Sequence, residues 1–176
     1  MKPGVLEGRV AWIFDDHFDV DLIVGVEKMG LSDPEEILSY CMKDLDPNFT
    51  QDVRPGDVLV GGRNFGYGHP HYPSMIAMRA LGIECVVAES FSPYFRRGEN
   101  CNGMILVSCP GISQAVERWD RLRVSWREGR VEVPERSFVG SGPPPSVYTQ
   151  RMVDAGGLSG MLKGILASEE SGRCAR

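Results

Sequence analysis

Two histidines and a tyrosine, His69, His71 and Tyr72, lie within four consecutive residues of a loop that also contains Gly66 and Gly68. An imidazole can accept or donate a proton near neutral pH, and it can also hydrogen-bond to a carboxylate. Glycine allows left-handed backbone conformations and the close approach of a ligand. The chain has three histidines in all, so two of them in one loop favour a site there.

The residues on either side of this loop predict the elements that hold it. Residues 57–60 form a short, largely apolar run typical of a buried strand, and Met75, Ile76 and Met78 recur at helical spacing behind the loop. The first turn of a helix has free N–H groups and a partial positive charge, so this helix start suits an anion such as a carboxylate. The alternative is that the loop is only a tight connection.

Composition limits the class of protein. The 176 residues suffice for one well-buried domain, and 42% hydrophobic and 24% charged residues are typical of globular proteins. The net charge of −5 argues against a nucleic-acid partner or an anionic membrane surface. No apolar run reaches membrane-spanning length, and no signal-peptide pattern is present.

The five cysteines are odd in number and lack the spacing of a metal site. We therefore expect reduced thiols, a cytoplasmic location, and no metal or iron–sulfur cluster bound by this chain itself. The acidic turn at 15–21 holds four aspartates, but it lacks the glycine turn and distal glutamate of a calcium loop. Within this turn, Asp19 and Asp21 are predicted to brace the histidine loop at 64–74 rather than to react.

Strand and helix patterns alternate through the middle of the chain. Apolar runs predict strands at 9–14, 84–88 and 104–107, and Asp33 followed by Pro34 predicts a helix start. A further short helix is predicted to have Ser90 as its cap. These alternations predict an α/β domain with a partly parallel sheet, in which ligands meet the loops that follow the strand ends.

The C-terminal half continues with a hairpin. Its predicted strands are 121–126 and 130–133. Residues 140–145 are interpreted as a linker-like loop, 146–166 as a broken helix and 167–176 as a frayed tail. No internal repeat is visible, so the sequence predicts a single domain over 1–176 with its core at about 8–166.

Seven stretches resemble, in the same order, the small subunit of isopropylmalate dehydratase, which corresponds to the swivelling fourth domain of aconitase. These stretches are 12–23, 54–68, 80–83, 86–91, 94–97, 100–104 and 155–158. In 54–68, for example, Pro-Gly-Asp is followed by Gly-x-Asn-Phe-Gly-x-Gly. Each match is short, and their common order carries the resemblance.

The resemblance implies a swivelling β/β/α domain that closes over a partner. In the family, a large subunit carries a 4Fe-4S cluster and the small subunit completes the active site with its loop. The implied activity is that of a hydro-lyase of the leucine-biosynthesis type, which reversibly dehydrates a hydroxy-acid with two or three carboxylates. The implied partners are the cluster-bearing large subunit and this small substrate.

The loop departs from the family pattern after the glycines. There the family continues Ser-Ser-Arg-Glu-His, with the first serine as base and the arginine on a substrate carboxylate. In this sequence His69 stands at the position of the serine, His71 at that of the arginine, and Tyr72 at that of the glutamate. We expect His69 to be the catalytic base.

The substrate is expected to be bound by Asn64, Gly66, Gly68, His71 and Tyr72, and no metal-ligating residue is predicted. The alternative is that the loop has lost catalysis. The chain would then be a binding or regulatory subunit that keeps the swivelling domain, and it could form a homo-oligomer when isolated.

Overall fold

The computed structural model describes residues 1–69 and 71–174, with side chains as far as residue 167. Its seven strands form one sheet in the order β4-β3-β2-β1-β5-β6-β7. They are β1 (Val5–Phe14), β2 (Val58–Gly61), β3 (Cys85–Ala88), β4 (Ile105–Ser108), β5 (Arg121–Ser125), β6 (Arg130–Val133) and β7 (Phe138–Ser141).

Helices lie between and after the strands. The α-helices are α1 (Pro34–Tyr40), α2 (Phe49–Asp52), α3 (Tyr72–Ala80), α4 (Pro93–Cys101), α5 (Ile112–Ala115), α6 (Val147–Asp154) and α7 (Leu158–Cys174). Within the described ranges, short 3-10 helices occupy Val20–Ile23, Val26–Lys28 and Pro134–Arg136. In the described part of the chain, no helix is long and apolar enough to cross a membrane.

Strand β1 lies where the parallel part of the sheet meets its antiparallel part. Strands β1 to β4 pair in parallel, and β1 pairs with β5 in antiparallel fashion on its other side. The register of β1 against β2 shifts between Val10 and Trp12. Strands β5 to β7 continue as an antiparallel meander. In β5, Leu122 and Val124 are buried while Arg121 and Arg123 are exposed, as expected for a sheet with one wet face.

The parallel strands are buried on both faces. Along β2, Leu59 joins a core that includes Phe14, Phe65 and Met78, and the alternate side chains Val58 and Val60 join a second core around Trp126. Consecutive side chains of a strand point to opposite faces. The sheet therefore separates two hydrophobic layers. The first packs against helices α1, α3 and α4, whereas the second is enclosed by buried residues of β5 and β6 together with Ile112 of α5 and Val153 of α6.

Several predicted elements are confirmed. Asp33 caps α1 by accepting a hydrogen bond from the Glu35 N–H, and Pro34 begins that helix. The hairpin between β5 and β6 is present, and a break between α6 and α7 contains Gly156 and Gly157. The helix predicted behind the histidine loop is present as α3. These positions share strong local signals, namely a cap, a tight turn or helical periodicity.

Three details of the prediction are wrong. The cap of α4 is Ser92, whose hydroxyl accepts from the Phe95 N–H, and not Ser90. Part of the stretch interpreted as a linker is strand β7, which ends at Ser141. Strand β1 begins at Val5, earlier than predicted. The backbone of 167–174 continues α7, whereas 175–176 lie outside the described residues, so the frayed tail and the single-domain extent stay predictions.

Asp57 lies at the start of β2, at the end of the strand away from the loop. Burial works to raise the pKa of this carboxyl, but hydrogen bonds from Arg9 and from the Arg54 N–H outweigh it and lower the pKa below its ordinary value. The Arg9 guanidinium contacts Asp57 at 2.7 and 3.1 Å, and the Asp57 side chain is only 5% exposed.

We expect Asp57→Asn to lower the free energy of unfolding by about 1.5–3 kcal/mol at neutral pH, the usual cost of losing charged hydrogen bonds. Because the folded pKa is depressed, this stabilisation is present above the ordinary aspartate pKa and is lost as pH falls below about 4. Urea unfolding at pH 7 and below pH 4 measures both effects. Glu7→Gln is the control, because its pair with Arg123 is exposed and should contribute less than about 1 kcal/mol. An equal loss in both variants would contradict the prediction.

Candidate active site

The histidine loop lies at the carboxyl edge of the parallel sheet. It connects the end of β2 at Gly61 to the start of α3 at Tyr72. The acidic turn leaves β1 after Phe14, and the segment before α4 leaves β3 after Ala88. Because β1, β2 and β3 are parallel, these three connections meet at one edge, where α/β sheets bind ligands.

Phe65 anchors the loop to the core. Its side chain is fully buried, and its ring lies 5.4 Å from Phe14, 6.2 Å from Phe18, 6.3 Å from Phe91 and 5.3 Å from Phe95, measured between ring centroids. Aromatic pairs at such distances stabilise the fold by more than the burial of their surface area alone. Phe65 therefore fixes the point at which the following loop residues reach the surface.

Gly66 follows the anchor with φ +77°, and a Cβ at this position would overlap the Phe95 ring. Its N–H and that of Tyr67 both donate to the Phe18 carbonyl at 3.1 Å, and its carbonyl accepts from the Ser92 hydroxyl at 2.6 Å. The N–H and the carbonyl of Gly66 therefore already have hydrogen-bond partners within the chain. Gly66 therefore lets the loop pack closely on α4, and Gly68, at φ +88°, continues the left-handed backbone.

Asn64 connects the loop to the acidic turn. Its backbone is left-handed, with φ +54°, and its N–H donates to the Ser90 hydroxyl at 2.9 Å. Its side-chain nitrogen lies 3.1 Å from Nδ1 of His17, which itself has φ +56°. The His17 ring meets Tyr67 edge-on at 5.9 Å. Asn64 and the Ser90 hydroxyl thus join all three connections at the sheet edge.

Arg63 makes a second connection to that turn. Its N–H donates to Asp16 Oδ1 at 2.6 Å, and its Nε donates to Asp16 Oδ2 at 2.7 Å. These hydrogen bonds hold the pKa of the Asp16 carboxyl below its ordinary value. The guanidinium is therefore already engaged by a carboxylate of this chain.

His71 is held by a buried carboxylate. Asp21 Oδ1 accepts a hydrogen bond from the His71 N–H at 2.9 Å, and Asp21 Oδ2 lies 2.6 Å from Nδ1 of the His71 ring. The Asp21 side chain is 6% exposed and the His71 side chain 47% exposed. The prediction that Asp21 braces the loop is confirmed by this contact.

The same contact changes the expected role of the helix start. His71 occupies the N-cap position of α3 without a side-chain cap hydrogen bond, and its N–H donates to Asp21. The protein's own carboxylate thus lies at the start of α3, where the sequence predicted a ligand.

His69 is exposed beside this pair. Its ring lies 5.4 Å from the His71 ring and 5.8 Å from the Tyr94 ring, edge-on to both. Tyr72, the first residue of α3, and Tyr94, near the start of α4, are 66% and 60% exposed. The structure thus brings His69, His71 and Tyr94 together on the surface. Sequence reasoning did not select Tyr94, although its place just after the β3 end was a usable signal.

The cysteines of the described chain are not arranged as ligands. Burial raises the pKa of the Cys41 and Cys85 thiols to about 12 and that of Cys109 to about 11, which disfavours the thiolates that a metal binds. Among the described residues, no three histidine, cysteine, aspartate or glutamate side chains converge as a metal site. These residues do not fit an iron–sulfur cluster.

Curated proteins of one kind match this chain over nearly its whole length. It is 35% identical over 160 residues to the 3-isopropylmalate dehydratase small subunit of Halothermothrix orenii, across 90% of this chain and 96% of that protein. It is 38% identical over 159 residues to 3-isopropylmalate dehydratase small subunit 1 of Methanopyrus kandleri, across 90% and 93%. The chain belongs to the 3-isopropylmalate dehydratase small-subunit family.

Membership of the 3-isopropylmalate dehydratase small-subunit family is also visible in the fold. A crystal structure of 3-isopropylmalate dehydratase from Methanocaldococcus jannaschii superposes with a TM-score of 0.83 at 28% identity, across 95% of this chain and 98% of that one. An isopropylmalate/citramalate isomerase small subunit of that organism is 34% identical over 167 residues, across 95% and 99%. No family model matches the chain. The predicted α/β swivelling-domain fold is confirmed.

Proposed function

We propose that this chain is the small subunit of a heteromeric hydro-lyase acting on a hydroxy-di- or tricarboxylic acid, with a 4Fe-4S cluster on its large subunit. The observation that carries the proposal is the histidine loop itself. It lies at the carboxyl edge of the sheet, is anchored by Phe65, and presents two imidazoles to solvent. The full-length match to dehydratase small subunits supports the reaction class.

The loop supplies groups suited to an acidic substrate. The sequence predicts Asn64, Gly66, Gly68, His71 and Tyr72 at the substrate site. Of these, Gly66, whose N–H and carbonyl are bonded within the protein, shapes the loop rather than contacting the substrate. An imidazole of the loop accepts the proton, and the sequence assigns this role to His69. A cluster on the large subunit would supply a Lewis acid for the substrate hydroxyl. The residues of this chain bind the carboxylates, orient the substrate and remove the proton.

The surface around the loop suits a partner subunit. Leu22, Val26 and Tyr67 are exposed by 47%, 58% and 53%, and Tyr72 and Tyr94 are more exposed still. Aromatic residues are enriched at the centres of protein interfaces. We propose that the large subunit covers these side chains and thereby closes the site. A cytoplasmic location, in which the cysteines stay reduced, belongs to the same proposal.

Co-expression with a cluster-bearing large subunit tests the proposal. The two chains should copurify anaerobically, and the complex should hydrate or dehydrate one member of a panel of hydroxy-diacids and their unsaturated products. The isolated small chain is expected to show neither activity nor stoichiometric iron. A complex that forms but converts no member of the panel would favour the binding or regulatory alternative. Activity of the isolated chain would exclude the partnership.

A further inference from the structure

The Asp21–His71 contact fixes the orientation of one imidazole in the site. Asp21 meets the same residue twice: Oδ1 accepts from the His71 backbone N–H, and Oδ2 lies within hydrogen-bond distance, 2.6 Å, of the ring Nδ1. An ionised carboxylate only accepts hydrogen bonds, so the ring nitrogen facing it, Nδ1, must carry a hydrogen. The Asp21 backbone is itself fixed, because its N–H donates to the Asp19 carboxylate at 3.0 Å.

The other nitrogen of His71 is then the reactive one. With a hydrogen on Nδ1, a neutral imidazole has its lone pair on Nε2. The side chain is about half exposed whereas Asp21 is buried, so the ring edge away from Asp21 faces outward. A general base needs this arrangement, in which one carboxylate holds the tautomer and the opposite nitrogen meets the substrate.

His69 lacks such an orienting partner among the described residues. Its ring contacts are edge-on to His71 and to Tyr94, and no hydrogen bond in that part of the chain sets its tautomer. A ring whose tautomer and orientation no hydrogen bond fixes is a poor general base, because proton transfer depends on a fixed geometry. It can still hydrogen-bond to a carboxylate of an approaching acid.

We propose that Asp21 is a positioning residue that makes His71 the oriented proton acceptor of the loop, while His69 contacts a substrate carboxylate. The two histidines thus exchange the roles that the sequence suggested. In the dehydration direction, Nε2 of His71 takes the proton from the substrate carbon. The C–H electron pair becomes the C=C bond, and the hydroxyl leaves with the C–O electron pair. This inference rests on the proposed function for its substrate.

A measurement of the His71 tautomer tests the positioning role of Asp21 without an activity assay. The full-length chain is labelled with 15N-histidine, and its ring signals are assigned with His69→Gln and His71→Gln. In neutral His71 of the wild type, we expect the hydrogen on Nδ1. In Asp21→Asn the amide donates to Nδ1, so the hydrogen should move to Nε2. Asp15→Asn is the matched control, because it removes a charge from the same turn, and it should leave the tautomer unchanged.

A hydrogen on Nε2 in the wild type, or an unchanged tautomer in Asp21→Asn, would overturn the positioning. The wild-type spectrum decides this even if the variant does not fold.

Kinetics of the assembled enzyme test the exchange of roles. Asp21→Asn should lower kcat by about 10²–10⁴-fold, the range for losing an oriented base. His69→Gln should mainly raise KM. If kcat survives in Asp21→Asn although the tautomer has changed, His71 is not the acceptor. If the wild-type complex has no activity, the proposed function fails, and the ring spectra still decide the positioning.

Discussion

The double variant His69→Ala/His71→Ala should lower the kcat/KM of the assembled enzyme by about 10²–10⁴-fold, the contribution of a positioned general base. The expectation holds whichever imidazole accepts the proton, because both rings of the exposed pair are removed. Losing the hydrogen bond to a substrate carboxylate would add a factor of roughly 10 or more. Steady-state kinetics of the anaerobic complex measure the effect.

The fold should persist with some loss of stability, because both rings are exposed but removing the His71 ring leaves the buried Asp21 carboxylate one hydrogen-bond partner short. Circular dichroism and copurification with the large subunit check that the complex is intact. Tyr148→Ala serves as the control, because Tyr148 is a 57% exposed aromatic residue on α6 rather than at the loop, and it should retain near-normal kinetics. A double variant with nearly full activity would place the base on the large subunit and would leave this loop without a catalytic role.

Gly66→Ala should destabilise the chain by about 2–4 kcal/mol, which adds the strain of a left-handed alanine to the overlap with the Phe95 ring. For a domain of this size, that loss lowers Tm by roughly 5–15 °C. Thermal unfolding of the isolated chain gives the measurement. Activity of the complex should fall as well, since the loop can relieve the overlap only by moving off α4.

Gly98→Ala is the matched control for this substitution. Gly98 lies within α4, and a Cβ there would meet nothing within 4 Å. Alanine in a helix interior is favoured over glycine by about 0.5–1 kcal/mol, so Gly98→Ala should be neutral or stabilising. If Gly66→Ala unfolded at the same temperature as Gly98→Ala, the close packing of the loop on α4 would be disproved.

Local signals allowed much of the fold to be predicted. Asp33 and Pro34 predicted the start of α1, because a capping carboxylate and a first-turn proline favour a helix through contacts with residues only a few positions away. Strand β7 could not be found in this way. Its residues Phe138 to Ser141 include a glycine and are followed by glycine and prolines, and they become a strand only by pairing with β6. That pairing is tertiary context, which overrides local propensity.

The candidate site shows the same division. The position and residue types of the loop could be read from the chain, and so could the bracing role of Asp21. The particular partner of Asp21 could not, because His71 lies 50 residues further on and the contact depends on how β1 and β2 align. Tyr94 was missed because its nearness to His69 depends on a third strand end.

The central place of β1 has a consequence for synthesis on the ribosome. Its parallel partner β2 ends at Gly61, but its antiparallel partner β5 begins only at Arg121, about 60 residues later. At translation rates of roughly 5–20 residues per second, this interval lasts about 3–12 s. During it the nascent chain carries an open edge of its future central strand, to which a strand of another chain can pair.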